Sequence, residues 1–167
     1  IGVRTNGGGS FVTLAPRQQI TSAPYAIKSA AADLATTAYS VPGVRVNTNL
    51  ASTAFGLNTT ASGNTSTAMG FQTTASGPSS TAMGQNTVAS GDSATAMGSA
   101  TTASGTYATA MGYLTRATGF VSTAMGANAH ANHDHTFVWA DGSTPAVFAS
   151  TSNHQFLVRA QGGVGIN

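Results

Sequence analysis

The densest group of reactive side chains is His130-Ala131-Asn132-His133-Asp134-His135. Imidazole is a common ligand for zinc-like and nickel-like ions, so three histidines this close make His130, His133 and His135 weak metal candidates. The simpler use of His133 and its neighbours is to hydrogen-bond the turn in which they sit. No cofactor is expected. Elsewhere the acids are only Asp33, Asp92, Asp134 and Asp141, with no Glu and no Cys. Paired-carboxylate and thiolate chemistry is therefore nearly excluded. The glycine runs Gly7-Gly8-Gly9 and Gly162-Gly163 have neither a following helix nor a Lys, which a phosphate cradle needs. The sequence reads as a non-enzyme.

Two further groups could act by contact. One is a row of hydroxyls: Thr60 with Ser62, Thr74 with Ser76, Ser90 beside Val88, and Thr102 with Ser104. A flat hydroxyl array can order water against ice, but Arg116, His130 and Asn132 interrupt the row, and Thr is also a good strand residue. The other group is Phe71, Tyr107, Tyr113, Leu114, Phe120 and Val121, large residues at turn positions. They suit either a contact patch for a ligand or the sealing of grooves between chains.

What must position these residues is a repeat. From Ser52 to His135 one 14-residue phrase is said six times without insertion or deletion, as in STAMGFQTTASGPS and STAMGQNTVASGDS. A fixed short period marks a solenoid. Helix is excluded because most copies carry two glycines, each costing about 1 kcal/mol against Ala. Collagen is excluded because Gly does not recur at every third position. A β-solenoid with two short strands and two tight turns per coil fits.

Strand alternation then assigns faces. Ser66, Ala68 and Gly70 share one face of the first strand, and Thr73, Ala75 and Gly77 one face of the second. These small residues are expected inside a lumen too narrow for Val or Leu. Outside runs a column of Phe55, Met69, Met83, Met97, Met111 and Met125, flanked by Thr53, Thr67, Thr81, Thr95, Thr109 and Thr123. Such a stripe would not be left in water, and an alanine-lined roll has little core to stand alone. The Met face is expected to pack against copies of itself in other chains. Burial is worth roughly 1.5–3 kcal/mol per large apolar side chain.

The phrase S-T-A-M-G followed by T-A-S-G resembles the head repeat of YadA-like trimeric autotransporter adhesins. The match falls on Ser66, Ala68, Gly70, Ala75 and Gly77 and on the equivalent positions of the other copies. The family usually carries Val or Ile where this chain has Thr and Met. The resemblance implies an all-β, left-handed parallel β-roll of six coils, a homotrimer about a threefold axis, a cell-surface or extracellular place, and adhesion. Threefold association would also bring copies of one histidine together.

The 167 residues suffice for one ordinary domain. Only 6% are charged, and the six basic residues are too scattered for a nucleic-acid footprint. No apolar run reaches the ~20 residues of a membrane span. Opening on Ile1, the chain reads as a fragment or a processed product.

Residues 1–23 hold two β-prone runs around Asn6-Gly7-Gly8-Gly9 and read as a hairpin and linker. The stretch from Leu14 to Ile27 resembles a linker ahead of repetitive fibre domains in bacterial surface and tail-fibre-like proteins. Residues 24–41 form the expected helical neck, with Ile27 and Leu34 at heptad spacing. About two heptads are unstable alone. Residues 42–135 carry the roll, which is expected to end where Asn132-His133 replaces the second glycine. Residues 136–167, with Phe137-Val138-Trp139-Ala140-Asp141, read as a β-rich cap and resemble stretches of the same fibre proteins. The leading function is a structural and adhesive fibre module. A filament subunit joined by strand addition and a phage tail-fibre segment are the alternatives.

Overall fold

The computed structural model describes residues 2–3, 12–13 and 43–165. The chain divides into two units, Ile1–Ala35 and Thr36–Asn167. In the first, β1 (Gly2–Val3) pairs antiparallel with β2 (Val12–Thr13), Val3 opposite Val12. The neck expected over 24–41, with Ile27 and Leu34, lies outside the described residues.

The second unit is a parallel β-solenoid with no helix among the described residues. Each 14-residue phrase supplies one longer and one short strand. The longer ones are β4 (Ser52–Leu57), β6 (Thr67–Phe71), β8 (Thr81–Gln85), β10 (Thr95–Ser99), β12 (Thr109–Tyr113) and β14 (Thr123–Ala127). The short ones are β5 (Thr60–Ala61), β7 (Thr74–Ala75), β9 (Val88–Ala89), β11 (Thr102–Ala103), β13 (Arg116–Ala117) and β15 (Ala129–Ala131). Identical repeat positions stack: Met97 lies opposite Met83 and Met111, and Ala103 opposite Ala89 and Ala117. The register follows from the period, because a slip of one residue would turn every alanine outward.

Both corners of each coil are made by a residue in the left-handed region. These residues recur at every seventh position from Ala51 to His135, with φ between 50° and 58°. None of them is glycine. From Thr65 onward each corner N–H reaches the coil before it, as where Gln72 N donates to the Leu57 carbonyl at 2.9 Å and Asn86 N to that of Phe71 at 2.9 Å. The corners are thus tied into the same ladder as the strands, which offsets a left-handed cost of about 1–2 kcal/mol per residue.

The lumen is a single cluster of buried alanines, including Ala68, Ala75, Ala82, Ala96 and Ala110. Threonine joins it: Thr73, Thr87, Thr101 and Thr115 are fully buried, and their hydroxyls have no partner in the fold. Buried Ser66 and Ser122 instead turn back on their own corners, donating at 2.7 Å to the Gly63 and Gly119 carbonyls. Gly70, Gly84, Gly98 and Gly112 are not in the lumen, as strand alternation suggests, but exposed, with φ of 123° at Gly70. The alternation breaks there because the backbone turns before the corner. A Cβ on Gly70 would also collide with the Gly84 carbonyl.

The roll does not end at His135. β16 (Phe137–Asp141) adds in parallel to β14 with unbroken register, Trp139 opposite Met125. β17 (Phe148–Ala149) and β18 (Phe156–Arg159) follow on the two sheets. This coil is longer, since Val138 pairs with Leu157. At His133, where the second glycine would fall, the carbonyl acceptor of the earlier coils, such as the Ala131 carbonyl that Gly119 N reaches at 3.3 Å, is replaced by a side chain. Ser150 Oγ stands there and accepts from Asn132 N at 2.9 Å and His133 N at 3.2 Å. The wider coil also admits a Val to the core, contrary to the narrow-lumen expectation: Val138 is fully buried. At the other end β3 (Val44–Asn47) lies antiparallel on β4, covering the first edge of the longer-stranded sheet.

Candidate functional site

Three surfaces of the second unit carry chemistry. The first is the outer face of the longer strands. Phe55, Met69, Met83, Met97, Met111 and Met125 stack in one column in direct register. Phe55 is 54% exposed and Met69 38%, while the other four are half-buried between their neighbours. Thr67, Thr81, Thr95, Thr109 and Thr123 form the adjacent column and are likewise half-buried. The structure extends both columns. Trp139 and Val158 continue the Met column, and Phe137 and Phe156 continue the Thr column with rings stacked at 4.9 Å. Thr136-Phe137-Val138-Trp139 aligns with Ser122-Thr123-Ala124-Met125, so the next rung was legible from the repeat. Val158 was not, because the longer coil shifts it out of period.

The second surface is divided between the two corners of the coil. Tyr107 and Val121 are left-handed residues of one corner, and Leu114 of the other, with Tyr113 beside it. Tyr107, Phe120 and Val121 therefore lie along one edge, whereas Phe71, Tyr113 and Leu114 lie along the opposite edge. The six turn residues do not form one patch. On the first edge a ladder of rings runs upward: Tyr107 meets Phe120 edge-on at 5.9 Å, Phe120 meets His135 at 5.4 Å, and His135 stacks on His154 at 5.0 Å.

The three clustered histidines are pulled apart. His130 lies on the outer face of the short strands, opposite Arg116. Burial and then the Arg116 charge hold its pKa below the ordinary value of 6.5, against a backbone hydrogen bond involving Leu114 that raises it. His133 Nδ1 contacts Ser150 Oγ at 2.8 Å. Ser150 Oγ already accepts two backbone N–H groups, so its own proton goes to Nδ1 and occupies that lone pair. His135 joins the ring ladder. Among the described residues no group of three or more His, Cys, Asp or Glu could hold a metal ion.

The hydroxyl row sits on the third surface, the outer face of the short strands. Thr60, Thr74, Val88, Thr102, Arg116 and His130 pair in succession there. Val88, Arg116 and His130 break the hydroxyl pattern. At the mouth of the roll a cavity of about 410 Å³ opens between Arg45, Asn47, Ser52, Thr59 and Ala61, with Arg45 its sole charged group. It holds no acid–base pair. No described helix is long and apolar enough to cross a membrane.

Comparison with curated proteins gave no match. The family model described as "YadA head domain repeat (2 copies)" matches five times, over residues 48–73, 61–87, 75–101, 89–115 and 117–137. These matches cover more than half of the 167 residues and reach from β4 to β15, leaving β3, β17, β18 and all of β16 but Phe137 outside them. They fall on the alanine-lined coils, and successive matches step along the chain by one coil or two. The registered coils and these matches agree: the chain belongs to the YadA head repeat family.

Proposed function

We propose that this chain is a non-enzymatic head module of a trimeric, adhesin-like surface fibre, a left-handed roll that packs its Met column against two sister chains. The observation that carries the reading is that column. Seven large side chains from Phe55 to Trp139 stand in register on one face, and a face of that kind needs a partner surface. Charged side chains are absent from the Thr and Met positions of that face. The family is an adhesin-type structural domain and trimeric in general. The same membership supports a place on the cell surface and attachment to matrix or other cells, with the corner residues as what the rod would present.

Native mass measurement on the purified chain tests the assembly. A discrete species of three chains is expected. A folded single chain whose methionines oxidise readily would overturn it. The filament alternative has one feature against it: β3 runs antiparallel across the first edge of the longer-stranded sheet, so the parallel last strand of another copy cannot simply continue the stack there. Long polymers by electron microscopy would favour the filament.

A further inference from the structure

The sequence groups His130, His133 and His135, but the fold assembles a different pair. His135 and His154 are far apart in the chain and one rung apart in space. Their rings are parallel to within 5°, with centroids 5.0 Å apart. The backbone fixes this placement. Both residues are left-handed corners, with φ of 55° and 60°. His135 N donates to the Phe120 carbonyl at 2.8 Å and His154 N to the Asp134 carbonyl at 3.0 Å. Both side chains are exposed, and neither ring makes a hydrogen bond among the described residues. Their nitrogen lone pairs are therefore uncommitted, in contrast to Nδ1 of His133.

We propose that His135 and His154 form a two-imidazole site for a borderline divalent transition metal, with water completing the coordination. Two neutral imidazoles suit Cu²⁺, Ni²⁺ or Zn²⁺, whereas Ca²⁺ and Mg²⁺ demand oxygen ligands. Metal–nitrogen bonds of about 2.1 Å reach nitrogens no more than about 4.2 Å apart. The rings must therefore incline toward each other at their nitrogen edges, a movement open to exposed side chains. A groove of about 320 Å³, walled on its far side by Phe137 and Phe156, leaves space for the remaining ligands. Because the ligand nitrogens must be neutral, protons compete and binding weakens as pH falls.

Copper is the probe, since it heads the divalent affinity order. Cu²⁺ is titrated into the whole chain at neutral pH by calorimetry, with the paramagnetic resonance spectrum recorded on the loaded protein. One ion per chain and a spectrum of two imidazole nitrogens are expected. His135→Asn and His154→Asn should each weaken binding at least tenfold. Asn also tolerates the left-handed corner, so both variants keep the fold. His130→Gln and His133→Gln should leave binding within twofold. Unchanged affinity in either Asn variant, equal loss in His133→Gln, or no saturable binding would each overturn the site.

Discussion

Val121 is β-branched and sits at φ 51°, where its equivalents one and two coils earlier are Tyr107 and Ser93. A β-branched residue is poorly suited to that region, and Asn is several-fold better represented there. Val121→Asn should therefore stabilise the roll by about 1 kcal/mol, the low end of the left-handed cost. Urea unfolding monitored by circular dichroism measures it, and an unchanged or lowered midpoint would contradict the argument. His130 supplies a pH test. Its folded pKa lies below the unfolded value, so the folded chain binds fewer protons than the unfolded chain just below pH 6.5. Stability is full above that pH and declines as pH falls through the window between the unfolded and folded values. His130→Gln should flatten this part of the stability profile, read from thermal midpoints at several pH values.

The glycines of the second strand show how one element is made to stack. Gly91 has no positive φ, so its backbone could accept any residue. A Cβ there would nevertheless collide with the Gly105 carbonyl of the next coil. Gly91→Ala must push two coils apart and break the ladder on both sides. Its cost should exceed about 3 kcal/mol, at the upper end of single-site effects. Loss of the cooperative unfolding transition, or a midpoint far below that of the parent, is the expected reading. A variant as stable as the parent would show that the coils can separate locally. The position after Gly119 in the same column is His133, whose N–H donates to Ser150 Oγ rather than to a carbonyl of the next coil.

For the molecule as a whole, the column from Phe55 to Val158 is the surface that the proposed three-chain assembly would cover. Met97 lies at its middle, between Met83 and Met111. A carboxylate there would have to be desolvated against two sister chains, a cost of several kcal/mol. Met97→Asp should shift the chain from three-chain species to single chains or to unfolded material in sedimentation velocity. Trimers at parental stability would place the contact on another face. Asp92→Asn, at an exposed corner, serves as the comparison and should leave the mass unchanged.

The 14-residue period by itself determined the solenoid, its register, the alanine lumen and the outward Met column. An uninterrupted repeat stacks identical residues, and side-chain alternation then decides which of them face in. Trp139 continues the column because the period runs on through it, although Asn132-His133 suggested that the roll would end before it. Three features depended on the tertiary structure. The left-handed corners fall on ordinary residues, since interstrand bonding of the corner N–H compensates the backbone cost and leaves no glycine signature. The exposed position of Gly70 comes from a backbone turn that alternation cannot register. The pairing of His135 with His154 follows from a coil five residues longer than its predecessors. A change of period moves partners along the chain by an amount that only the closed coil reveals.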